Sequence, residues 1–304
     1  MNETAQQTIA VIGLGTIGLS FCALHLKHTK SVLRLYDTRD DINHHIRSLL
    51  PIYLGSEDKS DDADHLVERY ISSGRMTTFS SLEEACTGAS IVQEQGPESL
   101  EFKKSTWASV VKWVSHSTHL WSSTSGILAS KQAEDLEDKS RLLILHPYNP
   151  PHLTPLIEIV PSEYTSCDVT KFADDYFNGL DGRYRTVVLR KEITGFVGNR
   201  LGFALFREVC HLVADGVATI EDVDTIIEAS YAPRWAVAGP ISLKGTSGFP
   251  GKAVEPTPLD ALDKEDWVQK VVRQTEEAYG LPTAKSLDQR DIDLRRVLEA
   301  QPKK

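Results

Sequence analysis

A histidine and a glutamate stand in apolar company within one short stretch of the chain. His146 ends the run "LLILH" and Glu158 sits inside "LIEIV", with a Pro-rich segment between them. A carboxylate withdrawn from water without a partner is expensive, so Glu158 needs one. Two strands joined by a turn through Asn149, Pro150, Pro151 and Pro155 would bring His146 to it. A carboxylate-oriented imidazole is a general acid/base unit. The residues alone also allow a structural reading, in which the histidine closes a strand and the glutamate caps a neighbouring helix.

A second chemical signal opens the chain. In "IAVIGLGTIGLSFCALHL" an apolar run passes through Gly13, Gly15 and Gly18 and then takes on helical spacing. This is G-x-G-x-x-G in a strand–turn–helix context. Gly13 can make the tight turn, Gly15 lets a pyrophosphate approach the backbone, and Gly18 allows close helix–strand contact. The phosphates would sit on the helix N-terminus at Gly15, Thr16, Ile17 and Gly18, where free N–H groups and the helix dipole favour anions. Asp37 ends the next strand-like run, twenty-two residues after Gly15, where an acidic side chain can hold an adenosine ribose. Its charge would repel the 2′-phosphate of NADP, so NAD is the expected cofactor, and Arg39 nearby softens that preference.

These residues need a scaffold. Eight short β-rich runs, at 8–13, 31–37, 75–80, 90–95, 119–124, 142–146, 156–161 and 184–190, alternate with amphipathic stretches of helix length. Such alternation predicts an α/β fold, a Rossmann-type doubly wound and largely parallel sheet covered by helices. The charged stretch 57–75 reads as a solvated helix outside the sheet. After Arg190 the texture changes, and 195–230 has apolar residues at three- and four-residue steps for two long helices, the second entered through Thr219, Glu221 and Asp222. We therefore expect a nucleotide-binding domain over 1–193 and a smaller all-α domain over 194–304. Within the latter, the Gly/Pro-rich segment 245–260 reads as a long loop and 288–300 as a closing helix.

Bulk properties narrow the class. The composition is that of an ordinary globular chain, 40% hydrophobic and 25% charged, and its net charge of -10 argues against non-specific nucleic-acid or anionic-membrane partners. Cys22, Cys86, Cys167 and Cys210 are widely spaced, without a zinc pattern or a disulfide framework, and read as free thiols. No metal site is expected. The opening "MNETAQQTIAVIG" has no basic segment before a long apolar core and no run is long enough to span a bilayer, so a cytoplasmic protein is expected.

Taken together, "QGPESLEFKK", "SSTSG", "HPYNPPHLTPLIEIVP" and "KEITGFVGNRL" resemble the 3-hydroxyacyl-CoA dehydrogenase superfamily. The resemblance covers nearly the whole chain, and the H-P-x-N-P block followed by L-x-E-[IV]-V is its most specific part. "HPYNPP", "LVADGVATIEDVD" and "PRWAVAGP" are similar to the lambda-crystallin/L-gulonate 3-dehydrogenase and L-carnitine dehydrogenase branch. The resemblance implies an NAD-dependent dehydrogenase that interconverts a secondary alcohol and its ketone. It implies His146 as acid/base, Glu158 as the partner orienting it, and Ser125 and Asn199 as donors to the reacting oxygen. It also implies that Glu98 and Lys103, on one helix, bind the cofactor, Glu98 near the nicotinamide ribose, and that Asn149 lies by the substrate. Helical second domains of such proteins pair, so a homodimer is expected. Ser123 stands where many CoA-type members have asparagine, and the tail after Pro240 is shorter and richer in Gly and Pro than is usual for the branch.

Substrate size is read from one cation. Arg234, in "YAPRWAVAGP" just after a predicted helix and beside Trp235, suits a bidentate carboxylate contact. That favours a small hydroxy acid, a sugar acid or carnitine-like compound, over an acyl-CoA thioester. A structural or NAD-binding protein of crystallin type is the alternative from another class, opposed by the intact set of His146, Glu158, Ser125 and Asn199.

Overall fold

Runs of apolar residues become strands here where helices cover both faces of the sheet. In chain order the strands are β1 (Thr8–Ile12), β2 (Val32–Tyr36), β3 (Met76–Thr78), β4 (Ile91–Glu94), β5 (His119–Ser122), β6 (Leu142–Pro147), β7 (Leu156–Pro161) and β8 (Arg185–Val188). The helices between them are α1 (Thr16–His28), α2 (Ile42–Leu54), α3 (Asp62–Ser72), α4 (Leu82–Cys86), α5 (Leu100–Val110), α6 (Ala129–Gln132) and α7 (Cys167–Asn178). The computed structural model describes residues 6–55, 62–180 and 184–237, with isolated positions beyond 272. The segments 57–61, 245–260 and most of 288–300, expected as helix start, loop and closing helix, lie outside the described residues.

All eight strands join one sheet in the order β3-β2-β1-β4-β5-β6-β7-β8. Pairings from β3 through to β6 are parallel. Strand β7 returns antiparallel to β6, and β8 runs parallel to β7. Successive side chains along a strand point to opposite faces, and this divides the core in two. Ile9, Val11, Leu143 and Leu145 pack on one face with Leu24, Leu33, Leu35 and Phe177. Ala10, Ile12, Leu142 and Ile144 pack on the other with Val92, Trp107 and Leu120. Both faces being covered explains why these strands read as continuous apolar runs rather than alternating ones.

The chain divides into a first unit that runs to Phe196 and a second that begins at Val197. The second opens with α8 (Gly198–Ala214) and α9 (Ile220–Ile226), tied by Cys210, Val213, Ile220 and Val223. Thr219 caps α9: its hydroxyl accepts from the Asp222 N–H, and the Asp222 carboxylate accepts in return from Thr219 N–H and hydroxyl.

One local expectation is corrected here. Arg234 does not follow a helix; it lies within α10 (Ala232–Val237), which continues from α9 through a π-helical turn over Ile227–Tyr231. Pro233 supplies the reason. It has no N–H for an ordinary helical bond and its ring crowds the carbonyl four residues back. The wider turn, in which the N–H of Ala232 reaches the carbonyl of Ile227, lets the helix pass that point.

Candidate active site

The antiparallel register of β6 and β7 places His146 directly opposite Glu158. Their side chains meet, with His146 Nδ1 2.7 Å from Glu158 Oε2. Both residues are buried, at 4% and 3% exposure. A carboxylate only accepts, so Nδ1 is the donor and Nε2 faces away from the pair. Nε2 has no hydrogen-bond partner among the described residues. Two aromatic rings flank the imidazole: Tyr148 at 5.3 Å between ring centroids and Phe196 at 5.1 Å. Gly195 and Phe196 both take positive φ, 76° and 51°, and Phe196 is fully buried. Left-handed backbone is costly for an aromatic residue and persists where packing enforces it, here against the histidine.

Neither Tyr148 nor Phe196 stood out in the sequence. Tyr148 donates its hydroxyl to Glu158 Oε2 at 3.2 Å, the oxygen that also receives His146. Burial, followed by the Glu158 charge, pushes the Tyr148 phenol up, so its proton stays on. An aromatic two residues beyond a strand-end histidine was the available signal, since residues i and i+2 of extended chain share a face.

The glycine turn is built for an anion. Gly13 has φ 86°, and a Cβ there would meet the Gln95 carbonyl carbon at 2.9 Å. A Cβ on Gly18 would stand 2.0 Å from the Gly13 oxygen, so α1 can start this close to β1 only with glycine. Gly15 is different: it is exposed and a Cβ on it would meet nothing within 4 Å. Gly15 is also the N-cap of α1 and no side chain caps the helix, which leaves the N–H groups at Thr16 and Ile17 without that partner. An open approach to an uncapped helix N-terminus fits the diphosphate of a dinucleotide. Asp37 holds the turn from β2, its Oδ2 accepting from Leu14 N–H at 2.6 Å and its Oδ1 from Arg39 N–H at 3.0 Å. The Arg39 guanidinium is engaged with Asp41 at 2.7 Å.

Glu98 lies between β4 and α5 and reaches the loop after β5. Its Oε1 accepts from the Thr124 hydroxyl at 2.5 Å, Ser125 N–H at 3.0 Å and Gly126 N–H at 3.1 Å. The carboxylate thus fixes the backbone that carries Ser125. Lys103, which the resemblance implies as a cofactor-binding residue, lies buried against Glu94. Its ammonium is fully buried and lies 3.0 and 2.9 Å from the two oxygens of Glu94. Glu94 ends β4 inside the protein, where a lone carboxylate would be costly, and the α5 face that carries Lys103 supplies the counter-charge. Asn149 is exposed, just past Tyr148. Asn199 is the second residue of α8, and Arg234 is exposed on α10 beside the stacked rings of Tyr231 and Trp235, 5.2 Å apart.

Among the described residues no group of three or more His, Cys, Asp or Glu could hold a metal ion, and no helix is long and apolar enough to cross a membrane. Cys22, Cys86 and Cys210 are buried thiols and Cys167 is exposed.

Comparison with known proteins agrees with this geometry. Residues 8–193 match the model of the 3-hydroxyacyl-CoA dehydrogenase NAD binding domain, and residues 195–284 match that of the C-terminal domain. The chain is 32% identical to an L-carnitine dehydrogenase of Streptomyces coelicolor over 306 residues, covering 96% of this chain and 94% of the other. It is 30% identical to a 3-hydroxyacyl-CoA dehydrogenase of Gibberella moniliformis, covering 81% and 74%. Among solved structures, 5-formyl-3-hydroxy-2-methylpyridine 4-carboxylic acid 5-dehydrogenase, an NAD+-dependent dismutase, superposes with a TM-score of 0.72 at 25% identity over 98% of this chain and 100% of that one. A glycine turn open to a dinucleotide, a buried His–Glu pair and both domain matches lead to one conclusion: the chain belongs to the 3-hydroxyacyl-CoA dehydrogenase family and is an NAD-dependent oxidoreductase acting on a CH–OH group.

Proposed function

We propose that the chain interconverts a short 3-hydroxy acid, a sugar acid or carnitine-like compound, and its 3-keto form at the secondary alcohol carbon. The observation that carries the chemistry is the buried His146–Glu158 pair, with Nδ1 bound to the carboxylate and Nε2 turned away from it. In oxidation, neutral His146 takes the hydroxyl proton at Nε2 while Glu158 holds the ring and stabilises the imidazolium that forms. Bound at the glycine turn through Gly13, Gly15 and Gly18, with Asp37 toward its ribose, NAD would supply the acceptor for the hydride leaving the carbinol carbon. Glu98 keeps the Ser125 loop in place through its three hydrogen bonds. Ser125 and Asn199 as donors to the reacting oxygen, Asn149 beside the substrate and Arg234 as partner of its carboxylate belong to the same proposal and rest on the sequence motifs.

The match to L-carnitine dehydrogenase along almost the full length of both chains supports a small acid. So does Arg234, whose planar fork suits a carboxylate. The match to the 3-hydroxyacyl-CoA dehydrogenase of Gibberella moniliformis supports a second reading, an acyl-CoA substrate. Absorbance at 340 nm with NAD and a panel of hydroxy acids, against 3-hydroxybutyryl-CoA, separates the two. Arg234→Ala should then raise KM for the acid roughly ten- to more than a hundredfold, the value of a hydrogen bond to a charged group, and leave NAD affinity unchanged. Turnover of the thioester alone would overturn the small-acid assignment.

Asp37 supports NAD over NADP, so NADH should bind more tightly than NADPH. We also propose a cytoplasmic homodimer. Exposed Leu201, Phe203 and Phe206 on α8 support pairing. A monomeric mass by light scattering at micromolar concentration would remove that part.

A further inference from the structure

Glu158 Oε2 receives two donors. His146 Nδ1 lies 2.7 Å from it and the Tyr148 hydroxyl 3.2 Å. We propose that Tyr148 is a positioning residue of this site: by donating to the oxygen that binds His146 it withdraws negative charge from it, and so sets the pH at which the ring exchanges its proton. The inference rests on the acid/base reading of His146.

Three observations lead there. First, the phenol is a permanent donor. Burial and the neighbouring carboxylate oppose its ionisation, so it neither competes with His146 as a base nor repels Glu158. Second, the contact does not follow from packing alone. The Tyr148 ring already packs 5.3 Å from the imidazole, and a phenylalanine would fill that place equally well. The hydroxyl adds only the bond to Glu158. Third, the imidazole touches few titratable groups. Glu158 on β7 and Tyr148 just beyond β6 are the titratable groups in contact with it among the described residues, and Phe196, after β8, adds an apolar ring.

The sign follows from electrostatics. A carboxylate beside Nδ1 favours the imidazolium, and a donor sharing the same oxygen weakens that effect. Removing the donor therefore raises the pKa of His146. About half the value of one hydrogen bond to a charged group, felt by the ring through the shared oxygen, corresponds to a shift of about 0.5–1 pH unit.

The test uses the full-length protein and two readouts. The first is the NMR titration of the His146 ring, assigned by loss of its signal in His146→Gln and followed without substrate. The second is the pH profile of turnover in both directions. In Tyr148→Phe the titration should move up by about 0.5–1 unit. The acidic limb of oxidation and the alkaline limb of reduction should move up with it, because oxidation needs neutral histidine and reduction needs the imidazolium. Unchanged melting temperature and NAD affinity would show that the fold is kept. If Tyr148→Phe does not fold, 3-fluorotyrosine at position 148 keeps the ring and strengthens the donor, and the titration must then move down. An unmoved His146 titration in either folded variant overturns the proposal, since a merely structural tyrosine would leave it in place. Failure of the acid/base reading looks different: His146→Gln would keep near-normal turnover, while the ring titration still reports whether Tyr148 acts on Glu158.

Discussion

Lys103 and Glu94 are joined by a 2.9 Å salt bridge from which water is excluded, their side chains being 1% and 0% exposed. Ser122 donates its hydroxyl to Glu94 Oε2 at 3.1 Å, and Gly96 N–H donates to Oε1 at 2.6 Å. The pair therefore joins β4, β5 and α5 below the loop that carries Glu98. Lys103→Met would leave a buried carboxylate without its cation, a loss of about 3–5 kcal/mol of stability. Urea unfolding should show that loss. The double variant Lys103→Met/Glu94→Gln should recover part of it, because no lone charge remains. A single variant as stable as the parent would mean that water or a rearranged side chain reaches Glu94.

Two glycines of the same turn should behave in opposite ways. Gly15→Ala adds a methyl group where nothing lies within 4 Å. Its melting temperature should stay near that of the parent, while the methyl group would occupy the approach proposed for the diphosphate. Losing one charge-assisted contact there weakens NAD binding roughly tenfold or more. Gly18→Ala would press its Cβ to 2.0 Å from the Gly13 oxygen, so it should lower stability first. Calorimetry for NAD affinity and thermal melts on both variants check this. Equal melting losses would show that Gly15 is structural.

How far these features are legible in the sequence follows from how local their causes are. Strands β1 and β6 are legible because the chain spells them as apolar runs between turn residues. The glycine turn is legible because its backbone geometry demands glycine at fixed steps, and the His146–Glu158 pair because a carboxylate in an apolar strand needs a partner nearby. The Lys103 contact was not. A lysine on a helix can face solvent or the sheet, and only the three-dimensional placement of Glu94 decides it. Tyr148 was hidden for a related reason, since its partner stands on the neighbouring strand and a buried aromatic is ordinary core material. The π-helical turn before Arg234 combined a readable cause, Pro233, with an outcome of two possibilities: a proline can end a helix or be absorbed by a wider turn.

His25 carries a pH prediction for stability. It is fully buried on α1, with Nε2 2.9 Å from Gln93 Oε1 and Nδ1 2.8 Å from the Tyr176 hydroxyl. Burial lowers its pKa to about 4, with Gln93 partly opposing the shift. The unfolded chain binds this proton near pH 6.5 and the folded protein only near pH 4, so between those values the unfolded state carries more protons. The contribution is thus fully present above the unfolded pKa and is lost as pH falls towards the folded one. It amounts to about 3 kcal/mol in total. Stability measured from pH 7 down to pH 4 should decline more steeply in the parent than in His25→Gln. Parallel curves would mean that the histidine is protonated in the fold.

The pair at the centre of the site makes the most direct prediction. Nδ1 is held by Glu158, so the proposed acid/base role uses Nε2, and under it the rate of oxidation should rise with pH while the rate of reduction falls over the same range. His146→Gln should remove most turnover and spare NAD affinity, because the glycine turn on β1 and α1 is a separate structure. Glu158→Gln keeps the shape of the side chain and an acceptor for Nδ1 but loses the charge that stabilises the imidazolium. It should therefore lower kcat less than loss of the ring does, and move the limb of the oxidation profile to lower pH. A purely structural pair predicts another pattern: both variants would lose melting temperature, and their folded fractions would keep near-normal kcat. Melting temperature, NAD affinity and kcat measured on the same preparations separate the two, and full turnover by folded His146→Gln would move the acid/base role to another group.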